Sequence, residues 1–275
     1  MTITEQSIDQ FGDILRHWRK VRRFSQLDLA LAANVSSRHL SFVETGRSQP
    51  GYDLILRLAE VLDLPLRHIN SMLVAAGYAP RYTTWSIDDD QTGMVRGALE
   101  RMLAHHEPYP AMVTTRNYDL IMSNDGAHKL VSWLTDGDDL LNRFGNSYRM
   151  LFALDGLRPY LVNFELLQEM LLKRLRDESI SYQSETLLRL YEACAAEVAD
   201  LNPMEYAVVD QQLPVMTLGL RKGDIDVCFF STVTTFGTAI DVTTQELRIE
   251  SLFPANEETR QLINAPEGPF LLTRS

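Results

Sequence analysis

Cysteine and long apolar runs are both scarce in this sequence of 275 residues. Its two cysteines, Cys194 and Cys228, are too few for a disulfide framework and fit a reducing compartment. No stretch approaches the roughly 18 apolar residues that a membrane-spanning helix requires. Residues 1–10 lack the apolar segment of a secretory signal peptide. These absences predict a soluble, cytoplasmic protein that has no membrane partner.

The motifs of the common enzyme classes and metal sites are also missing. There is no Gly-x-Ser-x-Gly elbow, P-loop, Gly-x-Gly-x-x-Gly, His-Glu-x-x-His or Cys-x-x-Cys. His105-His106-Glu107 and the pair Asp125 and His128 offer ligand types without a complete set. Asp136-Gly-Asp-Asp139 resembles the start of a calcium loop, but its twelfth position is Ser147, where a glutamate is needed. We therefore predict no enzyme activity, no required cofactor and no metal site.

Charge is distributed unevenly along the chain. The net charge is −11, yet residues 16–47 contain seven basic side chains against the two acids Asp28 and Glu44. The resulting +5 favours one surface that faces a polyanion. The alternative is that these basic residues only solvate a helix surface.

The first 80 residues have the pattern of five short helices. Ser25 and Ser36 stand where helix N-caps are expected. Asn34 stands between the second and third helices, at a turn that favours a residue tolerant of left-handed backbone. The pattern predicts an all-α five-helix domain over residues 1–80, with a helix-turn-helix from Gln26 to Glu44.

Beyond residue 80 the pattern changes. Residues 81–91 show neither helical nor strand periodicity and are predicted to form a linker. Residues 92–275 are predicted to form an α+β domain, with late strands over Val227–Phe230, Thr232–Ile240 and Leu247–Phe253. In the last of these, apolar Leu247 and Ile249 alternate with Arg248 and Glu250, which predicts a strand with only one buried face.

Several runs resemble known regulator families. Leu15–Ala30 (LRHWRKVRRFSQLDLA) and Asn34–Pro50 (NVSSRHLSFVETGRSQP) resemble the Xre, or phage-repressor, class of DNA-binding domains. Three further runs resemble the MmyB-like transcriptional regulators and their PAS-like ligand-binding domain: Leu64–Pro80 (LPLRHINSMLVAAGYAP), Met102–Ala111 (MLAHHEPYPA) and Phe236–Pro254. The resemblance covers roughly residues 11–80 and 92–262. It implies a multidomain protein, a helix-turn-helix domain followed by a PAS-like domain.

Roles for individual residues follow from this resemblance. It implies DNA contacts by Gln26, Ser36, Ser37, Arg38, Ser41, Phe42, Arg47 and Ser48. Arg38 suits two hydrogen bonds to guanine O6 and N7, and Gln26 suits a phosphate or a base edge. Phe42 has two interpretations, contact with a thymine methyl group or packing in the core. Arg19 and Glu44 match the internal ion pair of the class.

The resemblance also implies an effector. We expect a small hydrophobic or amphipathic ligand, fatty-acid-like, in the second domain, with no individual ligand-binding residue identified. Candidate lining residues are Phe229, Phe230, Phe236, Leu252 and the apolar stripes of the middle helices. A redox switch at Cys194 or Cys228 is an alternative source of regulation.

One helix-turn-helix reads only a few base pairs, so we expect a homodimer on a palindromic double-stranded operator. The sequence thus predicts a sequence-specific transcriptional regulator. The alternative is a DNA-binding protein whose C-terminal domain mediates protein–protein contacts only.

Overall fold

The computed structural model describes residues 3–199 and 215–265, with side chains from residue 11 onward. Contacts divide the chain into two units. The N-terminal unit comprises Met1–Thr92 and Phe236–Gln245, and the sheet unit comprises Gly93–Thr235 and Glu246–Ser275. Within the described ranges, none of the helices has the length and apolarity needed to cross a membrane. The parts of the predicted second domain at 200–214 and 266–275 lie outside the described residues.

The N-terminal unit contains the five predicted helices. They are α1 (Ile3–Val21), α2 (Gln26–Ala32), α3 (Ser37–Glu44), α4 (Tyr52–Val61) and α5 (Leu66–Ala75). Both predicted caps are confirmed: the Ser25 hydroxyl accepts from the Asp28 N–H at 3.0 Å, and the Ser36 hydroxyl from the His39 N–H at 3.1 Å. Asn34 has a φ of 53°, the left-handed conformation predicted for the turn between α2 and α3.

The inner side of α3 is held in the core of this unit. Leu40 and Val43 are fully buried, together with Phe11, Leu15, Trp18, Leu29 and Leu58. Helix α1 passes the end of α3 at Gly12, where a Cβ atom would lie 2.4 Å from the backbone oxygen of Glu44. Glycine is therefore needed for this close approach of two backbones. The outer side of α3 is left for other contacts.

The segment predicted as a linker groups with the helices of the N-terminal unit. Both ends of the Asn70 side-chain amide, its oxygen and its nitrogen, bind the backbone of this segment. Its Oδ1 accepts from the N–H groups of Arg81 and Tyr82 at 2.9 and 3.0 Å, and its Nδ2 donates to the Tyr82 oxygen at 2.7 Å. A sequence pattern without periodicity did not reveal this attachment, because it depends on one side chain of α5.

The sheet unit is built on five antiparallel strands in the order β2-β1-β5-β4-β3. The strands are β1 (Ala111–Thr114), β2 (Leu120–Ser123), β3 (Thr217–Lys222), β4 (Ile225–Thr234) and β5 (Arg248–Pro254). The register pairs Met112 with Glu250, and Leu252 with Ser231. Strand β5 is the middle strand and is hydrogen-bonded to β1 on one side and to β4 on the other.

Two strand predictions need correction. Residues 232–240 do not form a strand of their own: β4 is continuous to Thr234, and the following residues group with the N-terminal unit instead. The second correction concerns β5, whose Arg248 and Glu250 do not form a solvent face. The helix Phe164–Ser181 covers that face as well: its Glu178 accepts a hydrogen bond from Arg248 at 3.2 Å, and the Arg248 side chain is only 16% exposed.

Helices surround this sheet. They are α6 (Gly93–His105), α7 (Asp125–Thr135), α8 (Leu140–Phe144), α9 (Ser147–Phe152), α10 (Phe164–Ser181), α11 (Glu185–Glu197) and α13 (Glu257–Asn264), while α12 (Val242–Glu246) lies between β4 and β5. Asn124 begins α7: its Oδ1 accepts from the Ala127 and Ala111 N–H groups at 3.0 and 2.9 Å. This side chain therefore fixes the helix to the start of β1.

Candidate functional site

The outer side of α3 forms the candidate nucleic-acid surface. Ser36, Ser37 and Arg38 are exposed at the start of the helix, while Ser41 and Phe42 are half-buried one turn later. The Arg38 guanidinium lies 5.4 Å from the centre of the Phe42 ring. Cation–π contact of this kind orients an arginine without consuming its hydrogen-bond donors. Phe42 therefore supports Arg38, an arrangement that neither sequence interpretation of Phe42 included.

Arg47 and Ser48 follow the same helix closely. Gly46 has a φ of 71°, which lets the chain reverse after α3. The N–H groups of Arg47 and Ser48 then donate to the Phe42 oxygen at 2.8 and 3.2 Å. The turn brings the Arg47 backbone beside the exposed side of α3. In the part of the chain that the structure describes, neither Arg38 nor Arg47 forms an ion pair, so both cations face outward for a polyanion.

The Glu44 side chain holds α3 from the inside. Arg19 Nε donates to Glu44 Oε1 at 2.6 Å, and Arg19 Nη2 donates to Oε2 at 3.0 Å. Glu44 is 3% exposed, so the pair is buried. Hydrogen bonding to Glu44 raises the pKa of the Arg19 guanidinium. The structure thus brings together the two residues predicted as a structural ion pair.

Two more residues join this network. Gln26 Nε2 donates to Glu44 Oε2 at 3.0 Å, so the amide of this predicted DNA contact is already engaged within the domain. Arg16 Nη2 donates to the Glu44 backbone oxygen at 2.7 Å. Arg22 is also used internally, donating to the Leu62 oxygen at 2.7 Å. These three arginines, Arg16, Arg19 and Arg22, therefore position helices. The number of basic residues in the sequence could not distinguish them from the outward-facing Arg38 and Arg47.

The sheet unit contains a cavity between the sheet and the helices α7 and α9. Its volume is about 60 Å³. The wall is mostly aliphatic, with Leu130 and Val131 from α7, Leu218 and Leu220 from β3, and Leu252 from β5. Such a lining suits an apolar group, but the volume is well below the roughly 300–1,000 Å³ of a ligand pocket. A ligand longer than a few carbon atoms therefore requires the cavity to widen.

The other predicted lining residues do not reach this cavity. Leu252 lines the cavity, as a candidate ligand contact should. Phe229 is fully buried in the core, whereas Phe230 stacks on Phe253 with ring centres 5.5 Å apart. Phe236 groups with the N-terminal unit. Phe230 lies on the face of the sheet opposite to Leu252, because alternate strand residues point to opposite faces.

Glu250 is the polar group of the cavity that the sequence did not indicate. Among the described lining residues it alone is ionisable, and Ser147 adds a hydroxyl. Burial raises the pKa of the Glu250 carboxyl, whereas a hydrogen bond with Ser231 and the charges of Arg174 and Arg248 act in the opposite direction. A carboxyl with a raised pKa keeps its proton to higher pH, and a protonated carboxyl can donate a hydrogen bond.

A charged cluster lies beside this carboxyl. Glu178 of α10 accepts hydrogen bonds from the Tyr118 hydroxyl at 3.0 Å, from Arg174 at 3.3 Å and from Arg248 at 3.2 Å. The Arg248 guanidinium lies 5.0 Å from the centre of the Tyr118 ring. These contacts satisfy the polar side of β5 and fix α10 to the sheet.

A second cavity, of about 400 Å³, lies beside Cys194. Its wall includes Arg149 and Glu197 beside Phe144 and Phe152. Cys194 is 2% exposed, and burial raises the pKa of its thiol to about 12. The thiolate is the reactive form of cysteine, so this environment disfavours a redox switch at Cys194.

The histidines proposed as alternative metal ligands have structural partners. His106 Nε2 lies 2.9 Å from the Leu252 oxygen, and its ring contacts Phe253 edge-on. His128 Nε2 lies 2.9 Å from the Ser123 hydroxyl. Within residues 3–199 and 215–265, no group of three potential metal-ligating side chains comes together.

Two family models match the sequence. Residues 95–265 match the model described as MmyB-like transcription regulator ligand binding domain, and this match covers more than half of the chain. Residues 15–69 match a helix-turn-helix model, and they include α2, α3 and the Arg19–Glu44 pair. No curated protein matches the sequence significantly.

Proposed function

Because this chain belongs to the MmyB-like transcription regulators, we propose that it binds its operator as a homodimer and responds to a fatty-acid-like ligand. The protein is a DNA-binding transcription regulator with a ligand-binding domain, and both matched families describe regulator domains rather than enzymes. The aliphatic cavity, in which Glu250 is the one ionisable residue among the described lining, is the observation that carries the ligand class. The PAS-like classification of the sheet unit and a cytoplasmic location belong to the same proposal.

DNA recognition is proposed for the outer side of α3. A helix fits the major groove of B-DNA, and residues near its start contact the base edges. Arg38 is exposed there and braced by Phe42, which supports base contact by Arg38. Ser37 and Ser41 lie on the same side, while Arg47 and Ser48 suit phosphate contacts. Gln26 is tied to Glu44, so we propose that any DNA contact it makes uses its free amide oxygen.

Dimerisation is proposed from the geometry of DNA. A single α3 spans only a few base pairs, whereas two copies one helical turn apart, about 34 Å, read a palindrome. The combined specificity then suffices to find one site among many competing sites. Light scattering at micromolar concentration tests this proposal, and a monomer both with and without operator DNA would refute it.

The ligand is proposed from the cavity wall. Leu130, Val131, Leu218 and Leu220 offer only hydrocarbon to an occupant, so most of the ligand is apolar. The raised pKa of Glu250 favours a carboxyl that donates a hydrogen bond. A ligand with an acceptor at one end, such as the carboxyl of a fatty acid, satisfies both parts of the wall.

Calorimetry with saturated fatty acids from hexanoic to decanoic acid tests this ligand class. Each methylene group buried contributes about 0.8 kcal/mol, so we expect the affinity to rise about fourfold per methylene until the cavity is full. The variant Ala127→Leu, which extends a lining side chain of α7, should weaken binding about tenfold or more. Ala195→Leu on α11, outside the cavity, is the matched control.

If no acid of the series binds, the fatty-acid proposal is refuted, and protein contacts become the better role for the sheet unit. Equal binding by the wild-type protein and Ala127→Leu would place the ligand elsewhere. Melting temperatures of both variants show whether the added side chain disturbs the fold.

A further inference from the structure

The chain between β4 and β5 packs within the N-terminal unit. We call Phe236–Gln245 the β4–β5 arm. It leaves the sheet after Thr234 and returns to it at Arg248. The ligand-binding-domain match includes these residues, yet their contacts group them with the helices of the N-terminal unit.

The arm pairs with the segment that follows α5. The Val242 N–H donates to the Thr83 oxygen at 2.9 Å, and Val242 is 1% exposed. The Thr243 hydroxyl accepts from the Trp85 N–H at 3.0 Å and donates to the Trp85 oxygen at 2.6 Å. One buried apolar side chain and three hydrogen bonds therefore attach the arm.

Gln245 at the end of the arm caps α5. Its Oε1 accepts from the N–H of Leu66, the first residue of that helix, at 2.8 Å. The preceding Pro65 has no N–H and no side-chain oxygen, so the helix lacks a local side-chain cap. A residue 179 positions away thus satisfies a donor that the first turn of a helix otherwise leaves unpaired.

The same end of the arm continues directly into the cavity wall. Glu246 forms an ion pair with Arg116 at 3.4 Å, and both side chains are 12% exposed. Leu247 and Ile249 are buried, and Glu250 lines the cavity. Glu250 lies five positions after Gln245 in the chain, a span of at most about 17 Å. Glu246, Leu247 and Ile249 are thus held within the sheet unit and follow Gln245 directly in the chain.

Inside the N-terminal unit, α5 connects to the network that holds α3. His68 in the first turn of α5 contacts Trp18 of α1, with ring centres 4.9 Å apart. Helix α1 also carries Arg16 and Arg19, which bind the backbone and the side chain of Glu44. The start of α5 is therefore one helix away from the residues that position α3.

From these contacts we propose that the β4–β5 arm couples ligand occupancy of the cavity to α3, with Gln245 as the positioning residue. A ligand that moves Glu250 shifts the start of β5 and changes the cap of α5. This inference rests on the proposed ligand-binding function. A ligand changes the N-terminal unit in this way only if it binds more tightly to one conformation of the β4–β5 arm than to another.

Hydrogen exchange of the full chain tests the coupling, with decanoic acid as the probe. We expect the acid to change exchange in α5 and α3 of the wild-type protein by about fivefold. In Gln245→Ala this change should fall below about twofold, while calorimetry still shows binding of the acid. Gln245→Glu, which keeps an oxygen acceptor at the helix start, should restore the response. Gln261→Ala on α13, where the Gln261 amide donates to Glu257 of the same helix at 2.9 Å, is the matched control.

The possible failures are distinguishable. If decanoic acid binds but leaves α5 and α3 unchanged in the wild-type protein, or changes them equally in Gln245→Ala, the coupling proposal is overturned and the ligand proposal stands. If the acid does not bind, the Ala127→Leu variant provides a second test, because the larger side chain fills part of the cavity in place of a ligand. That substitution should then change exchange in α5 of the wild-type background and not of Gln245→Ala, and equal effects in both backgrounds would overturn the coupling.

Discussion

Removal of the Glu44 carboxylate tests how the recognition helix is held. Glu44 accepts three side-chain hydrogen bonds, two from Arg19 and one from Gln26. In Glu44→Ala the Arg19 side chain, which is 14% exposed, loses its anionic partner. Deleting one member of a buried ion pair costs about 3–5 kcal/mol, because the remaining charge stays buried. We expect the free energy of unfolding of the N-terminal unit to fall by about this amount.

Pulsed hydrogen exchange in increasing urea, read on peptides from α1 and α3, measures this free energy for the N-terminal unit alone. A double-mutant cycle with Arg19→Ala isolates the pair, and we expect a coupling energy of about 2 kcal/mol or more. Glu60→Ala, an exposed glutamate on α4, controls for the loss of an acid and should change stability by less than about 0.5 kcal/mol. A coupling energy near zero, or equal losses in Glu44→Ala and Glu60→Ala, would refute the reasoning.

Three further outcomes follow from the structure. Arg38→Ala should weaken specific DNA binding by about 1–3 kcal/mol in an anisotropy titration, whereas Arg57→Ala, an exposed control, should bind DNA nearly as well as the wild-type protein. An equal loss on random DNA would mean that Arg38 makes only a phosphate contact. Because burial raises the pKa of Glu250 above its usual 4.5, the folded state retains a proton that the unfolded state releases. The contribution of this group to stability is therefore complete below pH 4.5 and is lost as the pH rises through the raised pKa. Urea unfolding should show this loss in the wild-type protein and not in Glu250→Gln, and parallel pH profiles would contradict it. Finally, iodoacetamide at pH 8 should leave Cys194 largely unmodified in the folded protein, since its thiol pKa is about 12, and should react faster with the partly exposed Cys228; rapid modification of Cys194 would contradict its burial.

The helices of the N-terminal unit were predictable because their signals are local. Ser25 and Ser36 each bind an N–H group three residues along the chain, and Asn34 adopts the left-handed turn by itself. Such features depend on a few neighbouring residues, so the sequence pattern suffices. The Arg19–Glu44 pair, in contrast, came from the family resemblance, since nothing local links residues 25 positions apart.

The cavity and the arm were not predictable in the same way. The alternation in β5 indicated a polar face toward solvent, but α10 covers this face, and its Glu178, 70 positions earlier, binds Arg248. The strand predicted over 232–240 has β-forming residues, yet its second half leaves the sheet and leads to the segment that pairs with Thr83 and Trp85. Strand propensity depends on the partners a segment finds, and those partners are set by the whole fold.

Operator affinity with and without decanoic acid is the most direct test of the central claim. Genomic fragments bound by the purified protein supply the operator, and anisotropy titration at fixed salt gives both dissociation constants. The account predicts that saturating decanoic acid changes the dissociation constant about fivefold or more in the wild-type protein and much less in Ala127→Leu. Identical constants with and without bound acid would contradict a regulator controlled through this cavity.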